Sequence, residues 1–208
     1  MRPSDIIANY GRAADELTAL YEGVSTELVY GEALDHWPPA PARAIDIGAG
    51  TGRDAAWLAQ RGYEVTAVEP SQLRQAGQHL HSPNAIEWID DQLPALTRLD
   101  ARAGRHDLVL CNAVWQHLAP GDRPRAMQAL ARLIAPGGRL CLSLRSGPAH
   151  PDRPAHPTNP EESLAQAEAL GLRLIWRGER DAIKPQDKGA GVTWIWLVLE
   201  CSSPPPRP

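Results

Sequence analysis

The 208-residue chain has no phenylalanine, and its aromatic bulk rests on seven tryptophans and four tyrosines. Tryptophan must therefore fill space in the core that phenylalanine would otherwise take. Trp57, Trp88, Trp176, Trp194 and Trp196 fall at expected helix or strand positions and are read as core. Trp37, ahead of Pro38-Pro39, is expected to close an N-terminal segment. Cysteine is scarce: Cys111, Cys141 and Cys201 are odd in number, and no pair has metal-ligand spacing. That excludes a disulfide framework and a thiolate metal site, and no metal is expected. The three are read as small apolar residues in a reducing compartment. Long apolar runs are missing too, and the start has no apolar signal-like core. The expectation is a soluble, cytoplasmic protein without a membrane partner. Basic runs are also absent; Arg far outnumbers Lys, and the net charge is −4. Nothing supplies a phosphate-tracking face, so no nucleic acid is expected. There is no internal repeat, and nothing in the sequence specifies an oligomeric state. The length suits one domain, or one domain with a small cap.

What the chain does have is a glycine turn. Residues 44–54 read Ala-Ile-Asp-Ile-Gly-Ala-Gly-Thr-Gly-Arg-Asp: an apolar run, Gly48, Gly50 and Gly52, then a helical stretch. Glycines let the backbone turn sharply and approach a ligand closely. The helix that follows aims its first amides at whatever sits on the turn. A dinucleotide site uses G-x-G-x-x-G to hold a pyrophosphate. Here the spacing is one residue tighter, and Asp46 stands two positions before Gly48. A carboxylate at that point favours a cationic ligand over a diphosphate. S-adenosylmethionine (SAM), with an ammonium, a sulfonium and one carboxylate, has that chemistry.

Elsewhere strand-like and helix-like runs alternate. Strands are expected near 43–48, 64–69, 86–90, 106–113, 139–145, 172–180 and 193–200. Helices are expected near 53–61, 71–81, 122–135 and 160–170, with a weaker signal at 94–102. This alternation implies a parallel sheet with helices on both faces. Residues 5–36 carry helical spacing, and Trp37-Pro38-Pro39-Ala40-Pro41 stops it. Residues 181–192 have no helical period, which favours an antiparallel hairpin at the sheet edge.

Several runs end in chemistry. Glu69 closes the second strand 17 residues after Gly52, where an acid bonds ribose hydroxyls in nucleotide-binding α/β folds. Pro70 follows it. The third strand ends at Asp90-Asp91, either of which can accept from an adenine amino group; Asp90 is preferred because it ends the strand. Leu93 can pack on the ring. Asn112-Ala113 closes the fourth strand beside the expected methyl position.

Taken together, these segments resemble the class I SAM-dependent methyltransferases, over about Tyr10 to Glu200. Asp46 to Gly52 resembles that family's glycine motif, Glu69 its ribose acid and Asp90-Asp91 its adenine-side acid. Asn112-Ala113 resembles its segment after strand four, and Leu133 to Leu140 its Pro-Gly-Gly turn into strand five. The resemblance implies a seven-stranded, mostly parallel sheet of order 3-2-1-4-5-7-6, strand seven antiparallel, with an N-terminal helical cap. It implies a cap over 1–42, a methyltransferase domain over 43–200 and a disordered tail over 201–208. It implies SAM as cofactor, S-adenosylhomocysteine as product and methyl transfer to a small-molecule O, N or S atom.

For cofactor contacts the reading names Tyr10, Asp46, Gly48, Ala49, Gly50, Arg53, Glu69, Pro70, Asp90, Asp91, Leu93, Asn112 and Ala113; Tyr10 rests on the resemblance. For the acceptor side it names His117 as candidate base, Arg145 as candidate anchor and Trp115 as candidate partner of the acceptor or sulfonium. The five-proline loop 147–160, with His150 and His156, is either a lid over the acceptor or an exposed connection. Three other readings stay open. Asn112-Ala-Val-Trp115 faintly resembles a nucleic-acid amino-methylation motif, though both its prolines are missing. A nicotinamide oxidoreductase and a non-catalytic SAM-binding protein are the others.

Overall fold

The computed structural model describes residues 3–183 and 185–202. Three short helices open the chain: α1 (Pro3–Arg12), α2 (Ala14–Glu22) and α3 (Thr26–Tyr30), followed by a 3₁₀ segment over Gly31–His36. The helical period across 5–36 is thus broken into pieces. Ser25 caps α3, its hydroxyl accepting from the Leu28 amide at 3.2 Å, and Gly31 turns the chain with φ +51°.

From Arg43 the alternation holds. The order is β1 (Arg43–Ile47), α4 (Arg53–Ala59), β2 (Glu64–Val68), α5 (Leu73–Leu80), β3 (Ile86–Ile89), β4 (His106–Cys111) and α6 (Arg123–Leu133). Then come β5 (Ile134–Ser146), α7 (Pro160–Glu168), β6 (Leu172–Asp181), α8 (Pro185–Gly189) and β7 (Thr193–Cys201). The weak helical signal at 94–102 is a 3₁₀ segment over Thr97–Arg102.

The seven strands form one sheet in the order β3-β2-β1-β4-β5-β7-β6. Strands β1 to β5 pair in parallel, and β7 runs antiparallel to both β5 and β6. The expected hairpin is present, but its connection carries the short α8, which the sequence reading lacked. Strand β5 starts five residues early: Ile134 pairs with His106, then the register jumps to Arg139 beside Leu108. The Pro-Gly-Gly turn is therefore a bulge inside the strand, with Gly137 at φ +76°. Cys201 still belongs to β7, opposite Leu172; the rest of the expected tail, 203–208, lies outside the described residues.

Strand alternation splits the core between the sheet's faces. Ile45, Ile47, Val109, Cys111, Leu140 and Leu142 pack on one side with α6 and α7. Ala44, Leu108, Leu110, Cys141 and Val198 pack on the other with α3 and α4. Each fully buried aliphatic side chain contributes about 1.5–3 kcal/mol. Tryptophan fills the second side. Trp37 and Trp196 flank buried Tyr30, each with ring centroids 4.7 Å away, and Trp57, Trp88, Trp176 and Trp194 pack there partly buried.

Candidate active site

The carboxyl ends of β1, β2 and β4 open onto one cavity of about 660 Å³, as expected for a sheet whose strand order reverses there. The turn after β1 forms its floor. The Gly48 and Ala49 amides donate to the Val68 carbonyl at 2.8 and 3.0 Å. Gly48 has φ +76°, and a Cβ on it would lie 2.3 Å from Cγ2 of Val114. The close approach that requires glycine is thus made by the segment after β4. Gly50 turns its amide onto Oε2 of Glu69 at 2.9 Å, while the Ser71 amide donates to Oε1 at 2.8 Å. Each Glu69 oxygen keeps a lone pair for a further donor, and the side chain lines the cavity.

Asp46 and Asp54 stand beside this turn, both nearly buried. Asp54 is fully engaged: Thr26 and Tyr30 hydroxyls donate to its two oxygens at 2.8 and 3.0 Å. Arg53 holds the same carboxylate with two bonds, 2.8 and 2.9 Å, and donates to the Tyr21 carbonyl at 3.2 Å. Arg53 lines the cavity, but most of its donors are spent on Asp54 and Tyr21. Asp46 differs: among the described residues no donor reaches its carboxylate. Burial, then Asp54, push its pKa well above the usual carboxylate range, with Arg53 opposing. A cation placed here would relieve that penalty.

Tyr10, Pro70, Leu93, Asn112 and Ala113 also line the cavity. Asp91 lines it too, and its oxygens cap the following loop, accepting from the Gln92 and Arg98 amides at 2.8 and 2.7 Å. Asp90, preferred from the sequence, turns away: its carboxylate pairs with Arg74 at 3.0 Å. It faces a separate recess of about 340 Å³ shared with Ser4 and Gln92. Of the two acids, Asp91 is the one the fold brings to the main cavity.

Behind β4, Ala113 takes φ +57°, a conformation that costs a residue with a Cβ roughly 1–3 kcal/mol. Ser143, wholly buried in β5, holds it there. Its hydroxyl accepts from the Ala113 amide at 2.8 Å and donates to Oδ1 of Asn112 at 3.0 Å. Sequence reasoning missed Ser143, although one hydroxyl inside Leu-Cys-Leu-Ser-Leu was the available signal.

Trp115 requires correction. It is fully buried in the core beneath the cavity, with its indole N–H unpartnered among the described residues, and it does not line the cavity. Residues 115–117 form a 3₁₀ turn, in which positions two apart point about 120° away from each other. Trp115 therefore enters the core while His117 faces the cavity.

His117 sits between two partners. Its Nδ1 faces the Pro154 carbonyl at 2.9 Å, and its Nε2 faces the Tyr10 hydroxyl at 2.9 Å and the Gln116 amide nitrogen at 3.3 Å. A carbonyl only accepts, so Nδ1 carries the proton and Nε2 is the acceptor. Burial holds the imidazole pKa below its ordinary value, Arg145 and Arg153 add to this, and the Pro154 bond opposes it. Tyr10 is pushed up, chiefly by burial, so its hydroxyl stays protonated.

The proline-rich loop forms part of the cavity wall. Pro148, His150, Pro151 and Arg153 line it, and three contacts tie the loop down. Asn9 donates to the Asp152 carbonyl at 2.5 Å, the His156 amide donates to the Gln116 carbonyl at 2.7 Å, and His117 holds Pro154. Arg145 reaches the cavity wall but serves this loop. It donates to the Gly147 and Pro148 carbonyls at 3.2 and 2.7 Å and lies 3.9 Å from Asp187. The sequence reading also missed Tyr21, Trp194 and Trp196 as cavity walls.

The model of the methyltransferase domain matches residues 27–182. The chain is 33% identical over 169 residues to a ubiquinone biosynthesis O-methyltransferase of Xanthomonas axonopodis pv. citri, covering 78% of this chain and 65% of that one. It is 32% identical over 143 residues to the biotin biosynthesis bifunctional protein BioHC of Cellvibrio japonicus, covering 66% of this chain and 26% of that one. The chain thus spans less than two thirds of the length of either relative. In fold it resembles the 1,6-didemethyltoxoflavin-N1-methyltransferase of Burkholderia thailandensis, solved with its namesake ligand and S-adenosylhomocysteine. The TM-score is 0.69 at 16% identity, covering 96% of this chain and 88% of that one. With three quarters of its length inside the domain model, and a glycine turn, strand acid and strand order to match, this chain belongs to the methyltransferase-domain family.

Proposed function

We propose that the protein transfers the methyl group of SAM by an SN2 displacement to an O, N or S atom of a small molecule. The observation that carries this is the pairing of Glu69 with Asp46 on one cavity floor. One is a carboxylate held by two amides with lone pairs to spare, and the other is a buried acid that no donor among the described residues reaches. A ribose and an ammonium satisfy those two groups together; a diphosphate would face both charges. When bound, SAM supplies a methyl on a sulfonium with a neutral leaving group.

The chain's own residues position and deprotonate. Glu69 takes the ribose hydroxyls, Asp91 and Leu93 flank the base, and Asp46 with the Asn112 carbonyl favours the ammonium. The loop 147–160 excludes water as a lid, and holding donor and acceptor in line supplies much of the rate. For a hydroxyl or ammonium acceptor, the proton passes to the Tyr10 oxygen as the Tyr10 proton moves to Nε2 of His117. The imidazolium forms with its Nδ1–H still on Pro154. A thiolate or carboxylate acceptor needs no such step.

Residues 1–42 act as a cap on the domain formed by 43–200, a reading supported by Tyr10 and Tyr21 at the cavity wall. The named O-methyltransferase relative and the toxoflavin-precursor enzyme support a small-molecule acceptor over RNA or protein. Buried free thiols support a cytoplasmic setting. Calorimetric titration with S-adenosylhomocysteine tests the cofactor, and radiolabelled transfer from SAM into a metabolite extract against RNA tests the acceptor. Glu69→Gln is expected to weaken S-adenosylhomocysteine binding by roughly 10- to 100-fold. Wild-type protein that binds NADH and ignores S-adenosylhomocysteine overturns the proposal.

A further inference from the structure

Four arginines line the cavity: Arg53, Arg145, Arg153 and Arg180. Three are occupied. Arg53 holds Asp54, and Arg145 holds the loop carbonyls with Asp187 near by. Arg180 donates to the Leu28 carbonyl at 2.9 Å and stands beside Glu32. Arg153 is the exception: among the described residues no carboxylate or carbonyl accepts from its guanidinium. It lies over the Tyr10 ring, 5.6 Å from the centroid, half-buried in the lid and on the His117 side of the cavity.

Other charges on the walls do not take its place. Asp187 is the near neighbour of Arg145, and Asp181 lies 3.7 Å from Lys188. Asp46 and Glu69 stand at the glycine turn, beside an Asp54 already paired with Arg53. The cavity is therefore polarised, acidic at the glycine turn and carrying an unspent guanidinium under the lid. Leu118, Trp194 and Trp196 add apolar wall to the same cavity.

We infer that Arg153 binds an anionic group on the methyl acceptor, which is an aromatic or otherwise apolar molecule bearing a carboxylate. This deepens the methyltransferase reading and rests on it. A guanidinium offers a planar fork that matches a carboxylate with two parallel bonds. The cation–π contact with Tyr10, 5.6 Å to the ring centroid, favours the guanidinium at this place before the acceptor arrives. Tyr10 also bonds His117, so the anchor and the proton-accepting pair share one side chain, and binding the anion sets the acceptor against the base. Arg145, the candidate from the sequence, instead shapes the loop that carries Arg153.

The test uses the full chain saturated with S-adenosylhomocysteine, titrated with benzoate and with its neutral analogue benzamide. Wild type is expected to bind benzoate roughly tenfold or more tightly than benzamide. Arg153→Gln is expected to abolish that preference while leaving S-adenosylhomocysteine affinity within about twofold, and Arg153→Lys to keep part of it. Equal binding of the two probes by wild type, or a benzoate preference that survives Arg153→Gln, overturns the inference. So does a loss in Arg153→Gln of S-adenosylhomocysteine binding but not of binding to 5′-methylthioadenosine, which lacks the carboxylate. That result assigns the guanidinium to the cofactor. Wild-type protein that fails to bind S-adenosylhomocysteine at all sinks the methyltransferase reading itself, a different outcome from failure of the probe pair.

Discussion

The Tyr10 hydroxyl lies 2.9 Å from Nε2 of His117, although 107 positions separate the two residues. The bond joins the first helix to the turn after β4, and the Pro154 carbonyl of the proline-rich loop meets the same imidazole at Nδ1. The first helix and the proline-rich loop therefore meet at one imidazole.

A base with a depressed pKa stays neutral to lower pH. Burial lowers the His117 pKa below 6.5, so the acid limb of the kcat profile is expected below that value. His117→Asn is expected to lower kcat about 100-fold and to remove that limb, measured as initial transfer rates between pH 5 and 8. Stability has a matching sign. The imidazole is held neutral when folded, so its contribution is present above the unfolded pKa near 6.5 and is lost as pH falls from there through the lower folded pKa. Urea titrations are expected to show wild type losing more stability than His117→Asn between pH 7 and 5.

Asp46 has the opposite sense. Burial and Asp54 raise its folded pKa, so the folded state binds the proton more tightly than the unfolded chain. Stability is lost as pH rises from the unfolded pKa of about 3.9 toward the folded one. Asp46→Asn does not titrate, and its melting temperature relative to wild type is expected to be higher at pH 8 than at pH 5. The same variant is expected to bind SAM roughly tenfold more weakly. A melting difference that stays constant with pH counts against the buried acid.

At Gly48, two effects can be separated. Alanine there meets a positive φ, costing about 1–2 kcal/mol, and a Cβ 2.3 Å from Val114 Cγ2. Val114→Ala removes the second effect and leaves the first. In a double-mutant cycle Gly48→Ala and Val114→Ala are expected to cost less together than the sum of their separate costs, by about 1 kcal/mol. Strict additivity in denaturant midpoints would mean that the turn can move away from Val114.

Trp115 makes a different prediction from the one its aromatic ring invites. It is core, so Trp115→Ala is expected to destabilise by about 3–5 kcal/mol. Trp115→Phe shrinks the side chain but also removes an indole N–H that lacks a partner among the described residues; its cost is expected below about 2 kcal/mol. S-adenosylhomocysteine affinity of the Phe variant should match wild type by calorimetry. A tenfold loss would place the ring at the ligand.

The strand acids and the glycine turn were legible because their chemistry is local. Glu69 ends a strand, and Gly50 follows another; once those strands are neighbours, the amide meets the carboxylate. The choice between Asp90 and Asp91 was not legible, because it depends on Arg74 of α5 and on the loop amides of Gln92 and Arg98. The loop 147–160 was visible as prolines, but not its attachment to Asn9 and Gln116, which lie far away in the chain.

By itself the sequence determined the alternation of strands and helices, the turn that crosses β1 to α4 and the acid at the end of β2; the strand order followed only from the resemblance to class I methyltransferases. Apolar period and glycine spacing act between near neighbours, and few sheets satisfy them. Tertiary structure alone decided which way Trp115 and His117 point, which arginine is spent on Asp54 and which is left over Tyr10. Those outcomes turn on partners brought together from distant segments, since a buried polar group takes whatever donor or acceptor the finished fold places beside it.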